Sequence, residues 1–215
     1  MIFTNQPIKL QHCRQQGADA ELFLVEGDSA SLAVASLRNA QFQAVLPMQG
    51  KPLNTIKATP AKLAENALFK ALIDALGMGF GDQLKLENCR FGRIVLLMDP
   101  DADGIHCGAL MLMFFYRWMK PLLESGMVEL VRAPAGEVLD TATGELQYAY
   151  TQAQFIALCA QYNSVENSHI ITQKYRGLAG INPTLLAYTC VDPSTRKTSV
   201  MGVKDAKVAL EVFGR

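Results

Sequence analysis

Three carboxylates, Asp99, Asp101 and Asp103, alternate through the stretch Asp99-Pro100-Asp101-Ala102-Asp103-Gly104. Acids crowded this closely repel one another unless a cation neutralises them, and hard divalent ions such as Mg²⁺ take carboxylate oxygens as ligands. The apolar run Ile94 to Met98 comes directly before and reads as a buried strand, so the acids occupy the loop at a strand's exit. A calcium loop of the EF-hand kind opens with the same D-x-D-x-D-G pattern. That loop needs a preceding helix and a bidentate Glu at its twelfth position, whereas here a strand-like run precedes and Leu110 stands twelfth. Two readings of the loop stay open on these residues alone: a Mg²⁺ site and a solvated acidic turn, since Asp and Gly are common turn residues.

A fourth acid bears on that choice. Glu21 to Val25 is a second short apolar run and leads into Glu26-Gly27-Asp28-Ser29-Ala30, followed by the helix-compatible segment Ser31 to Arg38 with Ser29 as its expected N-cap. Neighbouring strands of a parallel sheet bring their carboxyl ends to one edge, where ligands bind, and Glu26 would there face Asp99 and Asp101. Alone, E-G-D is a weak signal and reads better as a capped turn.

The elements that must hold these acids are read from the residues between them. Gln43 to Leu46 is a strand, and its loop Pro47-Met48-Gln49-Gly50-Lys51-Pro52 is bent by prolines and glycine. Ala61 to Leu76 has helical apolar spacing and stops at Gly77-Met78-Gly79-Phe80-Gly81, which follows a helix and so reads as a C-cap and turn instead of a dinucleotide loop. Gly108 to Glu124 predicts a mostly buried helix and Met127 to Val131 a further strand. Alternating β and α segments imply an α/β sandwich with a parallel sheet over residues 1–135. Residues 136–215 form a smaller α+β tail: a hairpin turning at Thr143-Gly144, a helix from Thr151 to Gln161 capped by Thr151, a turn at Asp192 to Arg196, and an amphipathic end from Val203 to Phe213. In Gln173-Lys174-Tyr175-Arg176-Gly177-Leu178 two cations flank an aromatic, a cluster that suits phosphates or an exposed basic loop equally.

Composition limits the partners. The chain has 215 residues, half of them apolar, and 20 basic residues balance 20 acidic ones, so the overall basic excess usual in nucleic-acid binders is missing. Only Lys174 with Arg176 and Arg196 with Lys197 look locally concentrated. Five cysteines without a C-x-x-C pair predict reduced thiols. No apolar run reaches membrane-spanning length and the start lacks a secretory pattern, so a cytoplasmic protein without a membrane partner is expected.

Taken in order, several motifs carry a resemblance: Pro7-Ile8-Lys9-Leu10 with Cys13, Glu26-Gly27-Asp28-Ser29-Ala30, Gln43 to Pro47 with Gly50-Lys51, Asp99-x-Asp101-x-Asp103-Gly104-x-His106, Phe114 to Arg117, Tyr175-x-Gly177-Leu178, Asn182-Pro183 and Asp192-Pro193-x-Thr195-Arg196. Nearly the whole chain resembles the TOPRIM region of the B subunits of type IIA DNA topoisomerases, gyrase and topoisomerase IV. The resemblance implies a TOPRIM fold, a Rossmann-like parallel sheet flanked by helices. It also implies DNA cleavage and religation with one or two Mg²⁺ ions, in which a tyrosine on a partner A-type subunit attacks the DNA phosphate. Glu26 would be the general acid/base and, with Asp99, Asp101 and Asp103, a metal ligand. Lys51, Lys174, Arg176 and His106 would meet DNA, Arg176 standing where the family commonly has lysine.

The departures are as informative. Ser31 and Leu32 replace the family's glycines, Asn39-Ala40-Gln41 a usually basic stretch, and Gln49 an arginine, so weaker DNA binding with a flatter salt dependence is expected. No region for the family's ATP-binding domain is found in the chain, so no ATP site is expected. A cleavage module active only with its partner, a stand-alone paralogue serving as a binding or regulatory module, and a self-sufficient metal-dependent nuclease are the competing functions.

Overall fold

The computed structural model describes residues 9–163 and 169–214; the expected Pro7-Ile8 part of the lead-in lies outside the described residues. In chain order the first half comprises β1 (Gly17–Glu26), α1 (Gly27–Leu37), β2 (Gln43–Met48), α2 (Pro60–Glu65), α3 (Ala67–Leu76), β3 (Phe91–Met98), α4 (Ala102–Trp118), α5 (Lys120–Glu124) and β4 (Val128–Arg132). The rest comprises β5 (Gly136–Asp140), β6 (Leu146–Ala149), α6 (Gln152–Asn163), β7 (Ile170–Lys174), α7 (Pro183–Leu186), β8 (Thr198–Val200) and α8 (Val203–Phe213).

The main sheet runs β2-β1-β3-β4-β8, parallel throughout except for β8, which pairs antiparallel with β4. Its central strands alternate between two cores, as the twofold period of a strand demands. Leu22, Leu24, Leu46, Ile94 and Leu96 pack with α2 to α5 and α8, including Phe69 and Phe114, whose rings stack at 4.4 Å. Phe23, Val25, Val45, Val95 and Leu97 pack on the other side against Ala30 and Val34 of α1 and Leu178, Leu185, Leu186 and Cys190 of the C-terminal third. Both faces are covered, which is why the strands read as unbroken apolar runs. A second, antiparallel sheet has the order β6-β5-β7.

Helix boundaries differ from the sequence expectation at four places. The segment expected as one helix from Ala61 is two, because the Asn66 side chain accepts the Phe69 N–H at 3.2 Å and starts α3 afresh. Its end is as expected: Gly77 takes the left-handed conformation (φ 71°) and its N–H donates to Ile73 O. The long helix begins at Ala102 and not at Gly108, since the Asp101 carboxylate accepts the Gly104 N–H at 2.8 Å and caps α4 inside the acidic loop. It also breaks at Met119, and Pro121, which has no N–H to donate, sits in the first turn of α5. Finally, α1 starts at Gly27 directly on Glu26, which leaves Ser29 inside the first turn and not at the N-cap.

The C-terminal third is tied into the main sheet. Arg196, expected as part of a basic concentration, is buried instead: its guanidinium donates to both carboxylate oxygens of Glu21, at 2.6 and 2.8 Å, and to Val191 O at 3.0 Å. Gln43 Nε2 and Arg93 Nε also donate to Glu21, at 2.8 and 2.9 Å. Burial pushes the Glu21 carboxyl up, and the Arg196 and Gln43 hydrogen bonds with the Arg196 and Arg93 charges outweigh it, holding it below the usual range. All five cysteines are free thiols. Among the described residues no helix is long and apolar enough to cross a membrane.

Candidate metal and acid–base centre

Strands β1 and β3 are parallel neighbours, with Val25 level with Leu97, so both discharge their next residues at one sheet edge. Glu26 ends β1 and Asp99 follows β3. They meet there: Glu26 Oε1 accepts the Asp99 N–H at 3.0 Å, a contact between residues 73 positions apart. Room for this approach depends on Gly104, where a Cβ would lie 2.1 Å from Asp99 O and 2.8 Å from Glu26 Oε1.

Asp99 is held from a second side, its Oδ1 accepting the Leu178 N–H at 2.9 Å. Asp101 turns one oxygen back to cap α4. Asp103, in the first turn of α4, is exposed and accepts from Lys51 Nζ at 2.9 Å, and that lysine keeps its carboxyl below the usual range. His106 stacks on Phe213 of α8 with ring centroids 4.7 Å apart. A cavity of about 380 Å³ opens beside these groups, lined by Glu26, Gly27, Met48, Gly50, Lys51, Asp103 and Cys107.

Electrostatics mark Glu26 and Asp99 as the strained acids. Burial pushes the Glu26 carboxyl above its ordinary value, the charges of Asp99 and Asp101 push it further, and hydrogen bonds from the Asp99 N–H and the Cys107 thiol act against them. Asp99 is raised too, by burial and then Asp101, with the Leu178 N–H opposing. Cys107 is pushed up to about 12, by burial first and then by the Glu26 charge, so at neutral pH it is a neutral thiol donating to that carboxylate.

Glu26, Asp99 and Asp101 therefore form one repulsive set of hard oxygen donors, which a divalent cation would relieve. Among the described residues no group of three His, Cys, Asp or Glu side chains is placed to hold a metal ion by itself. Mg²⁺ does not demand one, because it keeps several waters and is commonly bound by one or two carboxylates plus substrate phosphate. The donor set fits that ion, with Glu26 and Asp99 half-buried at the sheet edge and Asp101 beside them.

Of the residues singled out in the sequence, Glu26, Asp99, Asp101, Asp103 and Lys51 lie together at this edge. Lys174 and Arg176 are exposed on either side of buried Tyr175, on the segment that goes on to Leu178. His106 lies one α4 turn beyond Asp103 and faces Phe213. Cys107 and the Leu178 N–H were missed. A buried cysteine carries no sequence signal beyond packing, and a backbone donor carries none at all.

The Toprim domain family matches residues 21–133 of the chain. The B subunit of DNA gyrase from Halalkalibacterium halodurans is 38% identical over 208 residues, which cover 96% of this chain and 32% of that protein. The same gyrase protein from Archaeoglobus fulgidus is 35% identical over 213 residues (99% and 33%), and that from Thermotoga maritima 37% over 212 (98% and 32%). The chain spans about one third of the length of these curated relatives.

Proposed function

This chain belongs to the Toprim domain family, and from that premise we propose that it is the Mg²⁺-dependent DNA cleavage and religation module of a type IIA topoisomerase. It works in the cytoplasm with an A-type subunit that carries the nucleophilic tyrosine. The observation that carries this reading is the half-buried edge where Glu26 accepts from the Asp99 backbone while Asp101 and Asp99 crowd it with charge.

In cleavage the partner's tyrosine releases its hydroxyl proton to solvent and its oxygen forms a bond to phosphorus as the bond from phosphorus to the ribose oxygen breaks. The ribose oxygen leaves with a proton from the Glu26 carboxyl. Religation runs the same path backwards, with Glu26 taking the proton up. Its raised carboxyl suits this role, since a general acid works best when its pKa approaches the working pH. Cys107 and the Asp99 N–H hold the carboxylate in place when it is charged. Glu26, Asp99 and Asp101, with Asp103 nearby, would hold a Mg²⁺ ion, which would supply charge stabilisation to the phosphoryl and leaving oxygens.

The chain mixed with an A-type subunit, supercoiled DNA and Mg²⁺ is expected to give nicked or linear product that disappears on chelation. Glu26→Gln keeps an acceptor for the Asp99 N–H but removes the acid, and is expected to lower cleavage about a hundredfold or more. Unchanged cleavage in that variant would sink the assignment. A second reading, a binding or regulatory module, is favoured by one observation: Lys51 is already neutralised by Asp103 in a chain of zero net charge. Docking on the A-type protein without cleavage supports that module, and cleavage by the chain alone supports a nuclease.

In this proposal Lys51, Lys174, Arg176 and His106 meet the DNA backbone. Lys174 and Arg176 are exposed, so replacing either with Ala is expected to reduce the slope of log affinity against log salt concentration by about one. Fluorescence anisotropy titrations at several salt concentrations measure it, and an unchanged slope removes that residue from the interface.

A further inference from the structure

We propose that Gly177 and Leu178 form a positioning element for Asp99, through which the seating of the C-terminal third sets the affinity of the acidic edge for a divalent cation. The inference rests on the metal reading of that edge.

The Leu178 N–H donates to Asp99 Oδ1 at 2.9 Å across 79 positions of sequence. Its side chain is fully buried in the core shared by β1, β3 and α1, so this donor sits on a packed anchor and not on a free loop. Upstream, Tyr175 is buried and its N–H donates to Ala135 O at 2.9 Å, which fixes the segment from the other end. Between the anchors, Gly177 has extended backbone (φ −154°, ψ 161°) that any residue adopts, so its requirement is one of space. A Cβ there would lie 3.3 Å from Asp99 Oδ2 and 3.5 Å from both Cγ and Oδ1. The carboxylate is thus bracketed: the Leu178 N–H pulls on one oxygen while the missing Cβ of Gly177 leaves room for the other. Since the Asp99 N–H donates to Glu26 in turn, displacing Asp99 disturbs both acids. Partners that orient a ligating carboxylate govern metal affinity strongly, commonly by about tenfold or more when removed.

The test is a Mn²⁺ titration of the full chain, followed by electron paramagnetic resonance of free Mn²⁺, on the parent chain and on Gly177→Ala, Gly180→Ala and Asp99→Asn. Gly180 lies in the same helical turn with open space around its Cα, so its alanine variant reports any general effect of the substitution. Gly177→Ala is expected to weaken Mn²⁺ binding about tenfold, with a melting temperature close to that of the parent, while Gly180→Ala binds as the parent does. Parent-like binding in Gly177→Ala, with binding lost in Asp99→Asn, overturns the positioning role and leaves the metal reading intact. No binding by the parent overturns both. Gly177-sensitive binding without DNA cleavage beside an A-type subunit supports the positioning role and removes the topoisomerase reading.

Discussion

Arg196→Ala is expected to destabilise the chain by about 3–5 kcal/mol, the usual cost of leaving a buried charge without its partner. Glu21 is completely buried and the Arg196 side chain nearly so, and two short hydrogen bonds join them. The guanidinium also lies over the Phe23 ring at 5.4 Å and donates to Val191 O, so its loss unfastens β1 from the C-terminal third at several points. Gln43 and Arg93 remain on the carboxylate, but Arg93 is partly exposed and compensates only in part. Against a typical total of about 5–15 kcal/mol, the loss brings the chain near its unfolding threshold. Urea denaturation of parent and variant measures it, and a difference below about 1 kcal/mol would falsify the assignment of this pair as the tether. Replacing both partners with apolar residues, Glu21→Leu with Arg196→Met, is expected to recover most of the loss, because no buried charge is then stranded.

The same pair makes the stability of the parent depend on acid. The Glu21 carboxyl is held below its usual range in the folded chain. Its contribution is therefore complete above the unfolded value of about 4.3 and is lost as pH falls through the folded one. The stability gap between parent and Arg196→Ala should accordingly be widest near neutrality and shrink below about pH 4. A gap constant from pH 7 to pH 3 contradicts this account.

Gly104→Ala is expected to cost about 3 kcal/mol and to remove most divalent-cation binding. The Cβ would lie 2.1 Å from Asp99 O and 2.9 Å from Asp99 C, both backbone atoms that have no rotamer through which to escape. Either the first turn of α4 lifts or the β3 exit bends. Lifting breaks the Asp101 cap on the Gly104 N–H, and bending breaks the Glu26 contact to the Asp99 N–H. Both routes scatter the carboxylates. For a chain of this size the stability loss corresponds to a fall of about 6–12 °C in melting temperature. Calorimetry and a Mn²⁺ titration on one sample read both effects. Retention of full cation affinity in the variant would show that close packing of Gly104 under Asp99 and Glu26 is not what holds the site.

Local rules made much of this protein legible. The apolar runs became β1, β2, β3 and β4, the Thr-Gly turn joins β5 to β6, Thr151 caps α6 through the Gln154 N–H, and Val203 to Phe213 is α8. The acids after β1 and β3 were placed at one edge because parallel strands must end together. The misplaced helix starts also had local causes. Asn66 and Asp101 are ordinary N-cap residues, and in both helices the cap, not the apolar spacing, fixes where the helix starts.

Pairings across long sequence separations came only from the packed layers. Glu21, Glu26 and Asp99 are each one acid among 20, and no periodicity tells which of the 20 bases lies under the sheet and which faces water. Arg196 shows the consequence, since 175 positions separate it from Glu21 and its neighbour Lys197 is exposed. The Leu178 N–H on Asp99 and the Cys107 thiol on Glu26 are of the same kind. Residue type and spacing decide which side of an element is apolar and where it stops, because those are short-range properties of the backbone and its side chains. Which donor meets which acceptor is decided when the layers close, since only there does burial make an unpaired charge intolerable.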